Sequence, residues 1–371
     1  MPKKKQNEDF HLEELTQEEE AEILKKPKQR RTRASKKNAL ATAVQEAEQL
    51  LLFEKIPGKI SSVKDDIASM EFSFYSVSTK VDNLPYEFNN GHQIIRIVPS
   101  VIGRPNQQFD KDLMLYINSL LARAQFEHED DHLKYRRIEI NLADFCRFTH
   151  REFDGTMSEA FMNSLLRLRG TTIQTTVRST AEDELINGFS LIESYKVLKR
   201  SSGKREGVLS AEVTISKWQA RQVHDKYVLT IDDDYFSIKR PTERRIYEIA
   251  RKFCGNQKIL FRISLSNLLM RMGLSASKTL RAFRYQIKQM VLRNEIPKYN
   301  LAYDAQNDHL IIFPRDLKVR EFLRSAAENV QSNSLMTNKS FEELENWFKS
   351  LVIHPDADPY AVHKYLAGTK K

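Results

Sequence analysis

One order of elements is written twice in this chain, with different residues each time, and it narrows the fold more than any single motif does. From Asp110 the pattern predicts a helix through Ala124, with Leu113, Ile117, Leu120 and Leu121 on one stripe. A strand over Tyr135–Ile140, a short helix capped by Asn141 and running to about Arg147, and a helix over Thr156–Arg169 follow, with Phe161, Leu165 and Leu168 inward. After Gly170 come β-branched runs, Thr171–Val177, Phe189–Leu198 and Val208–Ile215. The order then recurs. Pro241 opens a helix to about Cys254 that Gly255 ends, and Ile259–Ile263 reads as a strand. Ser264 or Ser266 caps a short helix to Met272, and Ser275 or Ser277 opens a long one to about Arg293. Tyr299–Tyr303 and His309–Phe313 form a hairpin around Asp304–Asp308. Helix, helix and then hairpin is the order of a winged helix-turn-helix.

The expected fold class is therefore α+β, two tandem winged helix-turn-helix domains between a disordered, charged N-terminal tail and a helical C-terminal tail. The boundaries fall at 1–69 for the charged tail, 70–231 and 232–316 for the two domains, and 317–371 for the C-terminal tail. Ahead of the first helix, Phe74–Ser78 and Ile94–Val98 read as strands separated by the turn signal Asn89-Asn90-Gly91. At roughly 150 residues per domain, 371 residues accommodate two or three folded units. No run of apolar residues is long enough to span a bilayer, and the Met-Pro-Lys-Lys-Lys start lacks a secretory apolar stretch. Cys146 and Cys254 are too few for a disulfide framework or a Cys-rich metal site, and fit small buried hydrophobes of a reducing compartment. A cytoplasmic location follows as the expectation.

Residues 1–38 separate by sign. Glu8–Glu22 holds eight acids and no bases, and Lys25–Lys37 holds eight bases and no acids. Such blocks bury little apolar surface and repel themselves. They read either as a solvated tail or as an arm that touches phosphates. A helix over Ala39–Phe53 ends in the pentapeptide Gln49-Leu50-Leu51-Leu52-Phe53, which looks like the motif by which bacterial replication proteins dock on the sliding clamp. Gln49, Leu50, Leu52 and Phe53 would be its anchors. Leu51 departs from the Ser or Asp more usual at its third position.

The helix Ser277–Arg293 carries the clearest functional pattern. Leu280, Phe283, Ile287 and Met290 form its buried stripe, while Lys278, Arg281, Arg284, Lys288 and Arg293 supply positive charge with no acid between Ser275 and Asn294. A helix needing only solubility would mix signs for i,i+4 pairing. An all-basic face suits the major groove of duplex DNA. The candidate DNA-binding residues here are Ser277, Lys278, Arg281, Arg284, Tyr285, Lys288 and Arg293. In the first unit they are Ser158, Asn163, Arg167 and Arg169 on the equivalent helix, which also carries Glu159. Lys199, Arg200, Lys204 and Arg205 complete the set on a wing-like loop. The first unit could instead mediate dimerisation.

Two patterns imitate enzymes. His128-Glu129-Asp130-Asp131-His132 matches the spacing of a zinc protease, yet its variable positions are Asp130 and Asp131, where a rigid buried helix would need apolar residues. Asp232-Asp233-Asp234 reads as a turn or cap. No catalytic residue, metal site or cofactor is expected, and no phosphate-binding glycine-lysine loop is present.

The segment Arg240-Pro241-Thr242-Glu243-Arg244-Arg245-Ile246-Tyr247-Glu248-Ile249-Ala250-Arg251-Lys252-Phe253-Cys254-Gly255 closely resembles the plasmid replication initiator protein A family. Phe72–Lys80, Leu168–Ile173, Leu229-Thr230-Ile231 and Asp234-Tyr235-Phe236 agree with it, so the resemblance covers roughly residues 70–315. It implies tandem winged helices binding directly repeated sites (iterons) in double-stranded origin DNA. It also implies melting of adjacent AT-rich duplex, recruitment of the host initiator and replicative helicase, a monomer–dimer equilibrium and repression of the protein's own promoter. A winged-helix repressor without initiation activity is the alternative. Phe341–Leu351 carries an apolar helical stripe that either docks on the body or receives a helicase or a second copy of the chain.

Overall fold

The computed structural model describes residues 60, 62–89, 93–127, 136–178, 184–202, 205–255, 259–274, 279–328 and 339–360. The Lys25–Lys37 run, the Gln49–Phe53 pentapeptide, His128–His132, Lys204, Ser277 and Lys278 lie outside the described residues. Those described belong to one compact unit, Gly58–Lys371, and the fold is mixed α and β.

The first half comprises β1 (Val63–Asp66), α1 (Ile67–Glu71), β2 (Tyr86–Asn89), β3 (Gln93–Val98), α2 (Phe109–Glu127), β4 (Arg137–Asn141), α3 (Leu142–Phe148) and α4 (Gly155–Gly170). It continues through β5 (Thr172–Arg178), β6 (Glu184–Phe189), β7 (Ile192–Ser202), β8 (Arg205–Ile215), α5 (Lys217–His224) and β9 (Val228–Ile231). After a 3-10 turn at Asp233–Ser237 come α6 (Pro241–Cys254), β10 (Phe261–Ser264), α7 (Leu265–Arg271), α8 (Leu280–Arg293), β11 (Tyr299–Asp304) and β12 (His309–Pro314). The chain then forms α9 (Val319–Glu328), α10 (Phe341–Lys349) and β13 (Val352–Ile353).

The two halves share a sheet topology. In the first, β4, β8 and β7 lie in that order; in the second, β10, β12 and β11 do. In both, a strand between two helices, β4 between α2 and α3 and β10 between α6 and α7, pairs with the last strand of the hairpin. The first half differs by an insertion, since β5 and β6 leave α4 to join β2 and β3 in a separate antiparallel sheet ordered β2-β3-β5-β6.

Several local expectations change. Phe74–Ser78 is not a strand: Phe74, Tyr75 and Val77 are all buried, and Ser76 makes only an isolated bridge to Asn106. The strand paired with β3 is β2, which lies on the near side of the Asn-Asn-Gly turn signal. Folded structure begins before residue 70, because β1 is hydrogen-bonded along its length to β9. Asp110 does not cap α2; Asn106 Oδ1 accepts from the Phe109 N–H at 2.7 Å, and Asp110 accepts from the Asn106 N–H. Thr279 rather than Ser275 or Ser277 caps α8, its Oγ1 accepting from the Ala282 N–H. Local signals served better elsewhere. Asn141 caps α3, Pro241 opens α6, and Asp232 caps the turn that follows it. Gly255, at φ 47°, stops α6 in a conformation few side chains adopt.

A buried polar seam joins the halves. Lys111 of α2 donates to Asp65 Oδ1 at 2.6 Å and Ser69 Oγ at 2.8 Å, with Glu248 Oε1 at 3.9 Å. Glu248 of α6 also accepts from Tyr235 at 2.8 Å, from Gln107, and from Arg245 at 3.0 Å. Arg245, fully buried, donates further to the carbonyls of Ser69, Glu71 and Arg271. Its neighbour Arg244 reaches Asp112 of α2 at 2.6 Å. Burial alone would lower the Lys111 pKa, but the Asp65 and Glu248 carboxylates hold it above its ordinary value. Apolar packing continues through the seam, since Leu115 of α2 shares one core with Met70, Tyr235, Ile246, Phe283 and Ile287. Gly273, at φ 68°, lets the turn after α7 press against residues 73–75; a Cβ there would lie 2.6 Å from the Tyr75 carbonyl oxygen.

The stripe in Phe341–Leu351 docks on the body. Leu344, Phe348 and Leu351 pack with Ala302, Ile311 and Phe313 of the second sheet and with Val319 and Leu323 of α9. Ser340 and Glu343 form a capping box on α10. Trp347 Nε1 donates to Asp304 Oδ2 at 3.0 Å, and β13 extends the sheet beside β11.

Two consequences are measurable. Glu248→Ala strips three buried donors of their acceptor and should lower unfolding free energy by about 3–5 kcal/mol in urea titrations; wild-type stability would show that the seam is not structural. Desolvation pushes the Asp304 carboxyl up, but the Trp347 and Asn307 hydrogen bonds outweigh it and hold the pKa below its ordinary 3.8. Its stabilising contribution is present above that value and is lost as pH falls through the lower, folded-state pKa. In a Trp218→Phe background, Trp347 fluorescence should stay constant from neutral pH to pH ~5 and change only below pH ~4. A transition near neutrality would contradict the assignment.

Candidate nucleic-acid interface

Helices α4 and α8 hold most of the basic residues singled out in the sequence. Helix α8 forms because Thr279 caps it, its interior has no glycine or proline, and Asn294 ends it in the left-handed region with its N–H on the Met290 carbonyl. Phe283, Ile287, Met290 and Val291 are buried and Leu280 packs partly against the same core, so the helix presents its opposite face outward.

On that outward face the charges are not equivalent. Arg281 is exposed, and Tyr285 is 67% exposed. Arg284 donates Nε to Asp308 Oδ1 at 2.8 Å and Nη2 to Asp308 Oδ2 at 2.7 Å, a two-point ion pair with the turn between β11 and β12. Tyr303 donates to the same carboxylate at 2.7 Å, and the Lys288 ammonium lies 5.0 Å from the centre of the Tyr303 ring. The Arg284 hydrogen bonds hold the Asp308 carboxyl below the usual range and raise the guanidinium pKa in return. At the other end, Arg293 pairs with Glu243 of α6 at 2.6 Å and lies 3.7 Å from Glu295. The helix has no acid of its own, yet the fold supplies acids to two of its arginines.

In the first half, Arg167 makes a two-point pair with Asp110, at 2.6 Å from Nε and 2.8 Å from Nη2, with only 15% of its side chain exposed. It ties α4 to α2 and is not available as a solvent-facing cation. Ser158 Oγ accepts from the Val208 N–H at 3.1 Å, which fixes α4 against β8. Asn163 is partly exposed, and Arg169 is exposed at the helix end. Lys199 is exposed on β7; Arg200 and Arg205 lie on β7 and β8, facing across the hairpin in register with Gly207 and Ser202. Each half thus places an exposed arginine on one helix, Arg169 on α4 and Arg281 on α8, and has a hairpin further along, β7–β8 and β11–β12.

Asp308, Tyr303 and Asp110 were absent from the candidate set. Only Asp308 carried a signal, its position in the predicted hairpin turn. The arginines of the Arg240–Gly255 segment also have another place than a DNA face: Arg244 and Arg245 are buried in the seam, and Arg240 pairs with Glu295 at 2.7 Å.

With this geometry in hand, comparison with known proteins assigns the chain. A family model described as replication initiator protein A matches residues 64–301. A protein of Wigglesworthia glossinidia brevipalpis named "Putative replication protein" is 34% identical over 252 residues, covering 67% of this chain and 88% of its own. Two crystal structures of domains 2 and 3 of RctB each cover 67% of this chain, and 98% and 96% of theirs. Their sequence identities are 10% and 13%, with TM-scores of 0.49 and 0.40. Because the family model spans more than half of the 371 residues, this chain belongs to the replication initiator protein A family.

Proposed function

We propose that the protein initiates replication at a plasmid origin by binding directly repeated sites in double-stranded DNA through two winged helices. The observation that carries this reading is the repeated topology: one chain of an initiator family holds two modules of the same strand order, each with a helix that exposes an arginine, Arg169 on α4 and Arg281 on α8, and a hairpin further along. Helix α8, with Arg281 and Tyr285 outward, enters the major groove and reads bases. Arg169 and Lys199 contact phosphates, which set register and supply the salt-dependent part of the affinity. The action is non-catalytic and takes place in the bacterial cytoplasm. Binding across adjacent repeats drives bending and melting of neighbouring duplex, and the bound array recruits the host initiator and replicative helicase. The Gln49–Phe53 segment engages the sliding clamp, and a monomer–dimer equilibrium separates origin binding from repression of the protein's own promoter.

Footprinting the purified chain on its own flanking DNA, with nonspecific competitor, tests this reading. A periodic ladder of protection over direct repeats is expected. Protection of a single inverted repeat would instead assign a repressor without initiation activity. Arg281→Ala combined with Arg284→Ala should abolish the ladder while the thermal transition stays cooperative; unchanged protection would remove α8 from the interface. Lys199→Ala should weaken all duplexes alike and reduce the log–log salt slope by about 0.9, the share of one phosphate contact. An unaltered slope would place Lys199 off the DNA.

A further inference from the structure

We infer that Asp308 is a positioning residue for base reading: it holds Arg284 so that its outer edge addresses a guanine in the major groove. The inference rests on the reading of α8 given above and adds to it a residue that does not itself favour DNA, since a carboxylate near phosphates is repelled by them. That repulsion is the reason the pair calls for an account. An acid at a DNA face weakens nonspecific attraction, so its presence there makes sense if it confers selectivity.

The geometry supplies the mechanism. A guanidinium has five N–H groups in one plane. Asp308 takes Nε–H and one hydrogen of Nη2, the side edge of the fork. The end edge, made by Nη1 and the remaining Nη2 hydrogen, is not used by that pair. Its two parallel donors match the O6 and N7 acceptors that guanine presents in the major groove. Without a partner, a long arginine side chain samples many rotamers and must order itself on binding; fixed beforehand, it loses less entropy. Asp308 is in turn held by Tyr303, whose hydroxyl donates to it at 2.7 Å, and its own backbone carbonyl accepts from the Leu265 N–H at 2.9 Å. Tyr303 is buried on β11, so the chain from strand to carboxylate to guanidinium is anchored in the sheet. The Arg284 side chain is still 36% exposed, open to a ligand on the helix surface shared with Arg281 and Lys288, three and four residues away. A fixed fork, with its remaining donors facing one way, tells guanine from adenine, which places a donor where guanine has O6.

Asp308→Asn separates this role from simple neutralisation of Arg284. Asp308 sits at φ 55°, a conformation asparagine adopts readily, so the turn is kept. The probe is a pool of duplexes with a randomised central segment, selected by the full-length chain and sequenced. Wild type should enrich a guanine at one position whose preference Arg284→Ala relaxes. Asp308→Asn should relax that same position, with a loss of discrimination of roughly 5- to 150-fold at most, the range of one bidentate contact. Affinity for unselected duplex should hold or rise. Tyr303→Phe, which keeps the buried ring and removes the hydroxyl, should give a smaller loss at the same position. If Asp308→Asn raises affinity for every duplex and leaves the guanine preference intact, Asp308 only neutralises charge and the proposal is overturned. If Arg284→Ala changes no position at all, the reading of α8 itself fails, an outcome distinct from the first.

Discussion

Everything outward in this molecule depends on how Glu248 is held. Its carboxylate is fully buried and accepts from Tyr235, Gln107 and Arg245, with Lys111 at the edge of contact. These partners come from α2, from the loop before it, from the 3-10 turn before α6 and from α6 itself, so the two halves cannot move apart without exposing unpaired charge. A buried charge that loses its partners costs far more than an exposed one, and this makes the joint stiff. Arg245 extends the same constraint to the carbonyls that end α1 and α7. The polar seam is accompanied by a continuous apolar core, so the joint resembles a domain interior more than an interface between two domains.

That stiffness bears on the most recognisable stretch of sequence. Arg240–Gly255 is rich in basic residues, and by composition alone it could pass for a nucleic-acid surface. The fold buries Arg244 and Arg245 and sets Arg251 on the Thr230 carbonyl at 2.7 Å. Here the basic residues build the scaffold. Among the described candidate residues, exposed basic groups stay on α8, on the end of α4 and on the β7–β8 hairpin. A stiff joint fixes the offset between those places, so under the proposed reading the two halves meet DNA at a set spacing. On that reading the duplex bends or untwists where its own geometry disagrees.

What was legible in the sequence was local. Pro241, Gly255, Asn141 and Asp232 announce their elements because a cap or a stop acts over three or four residues. The buried stripes of α4 and α8 follow from helical periodicity, and Phe161, Leu165, Phe283 and Ile287 are all fully buried. Strand identity was less readable, because Phe74–Ser78 has strand-like residues but no neighbouring strand to pair with. Least readable were the ion pairs. Arg284 meets Asp308 across 24 residues, Arg293 meets Glu243 across 50, and Arg167 meets Asp110 across 57. A helix that looks purely basic in one dimension is in three dimensions partly neutralised.

The surviving charge pattern is a statement about selectivity more than about affinity. With 59 basic and 50 acidic residues, a net +9 spread evenly would bind any polyanion loosely. The fold instead pairs Arg167, Arg284 and Arg293 with carboxylates and leaves Arg281, Arg169 and Lys199 exposed. Paired arginines attract phosphate weakly, since each carries its own counter-charge. Exposed ones attract strongly but discriminate little. A protein that must find a few sites among many similar ones gains from limiting the second kind, because nonspecific binding competes with every specific contact.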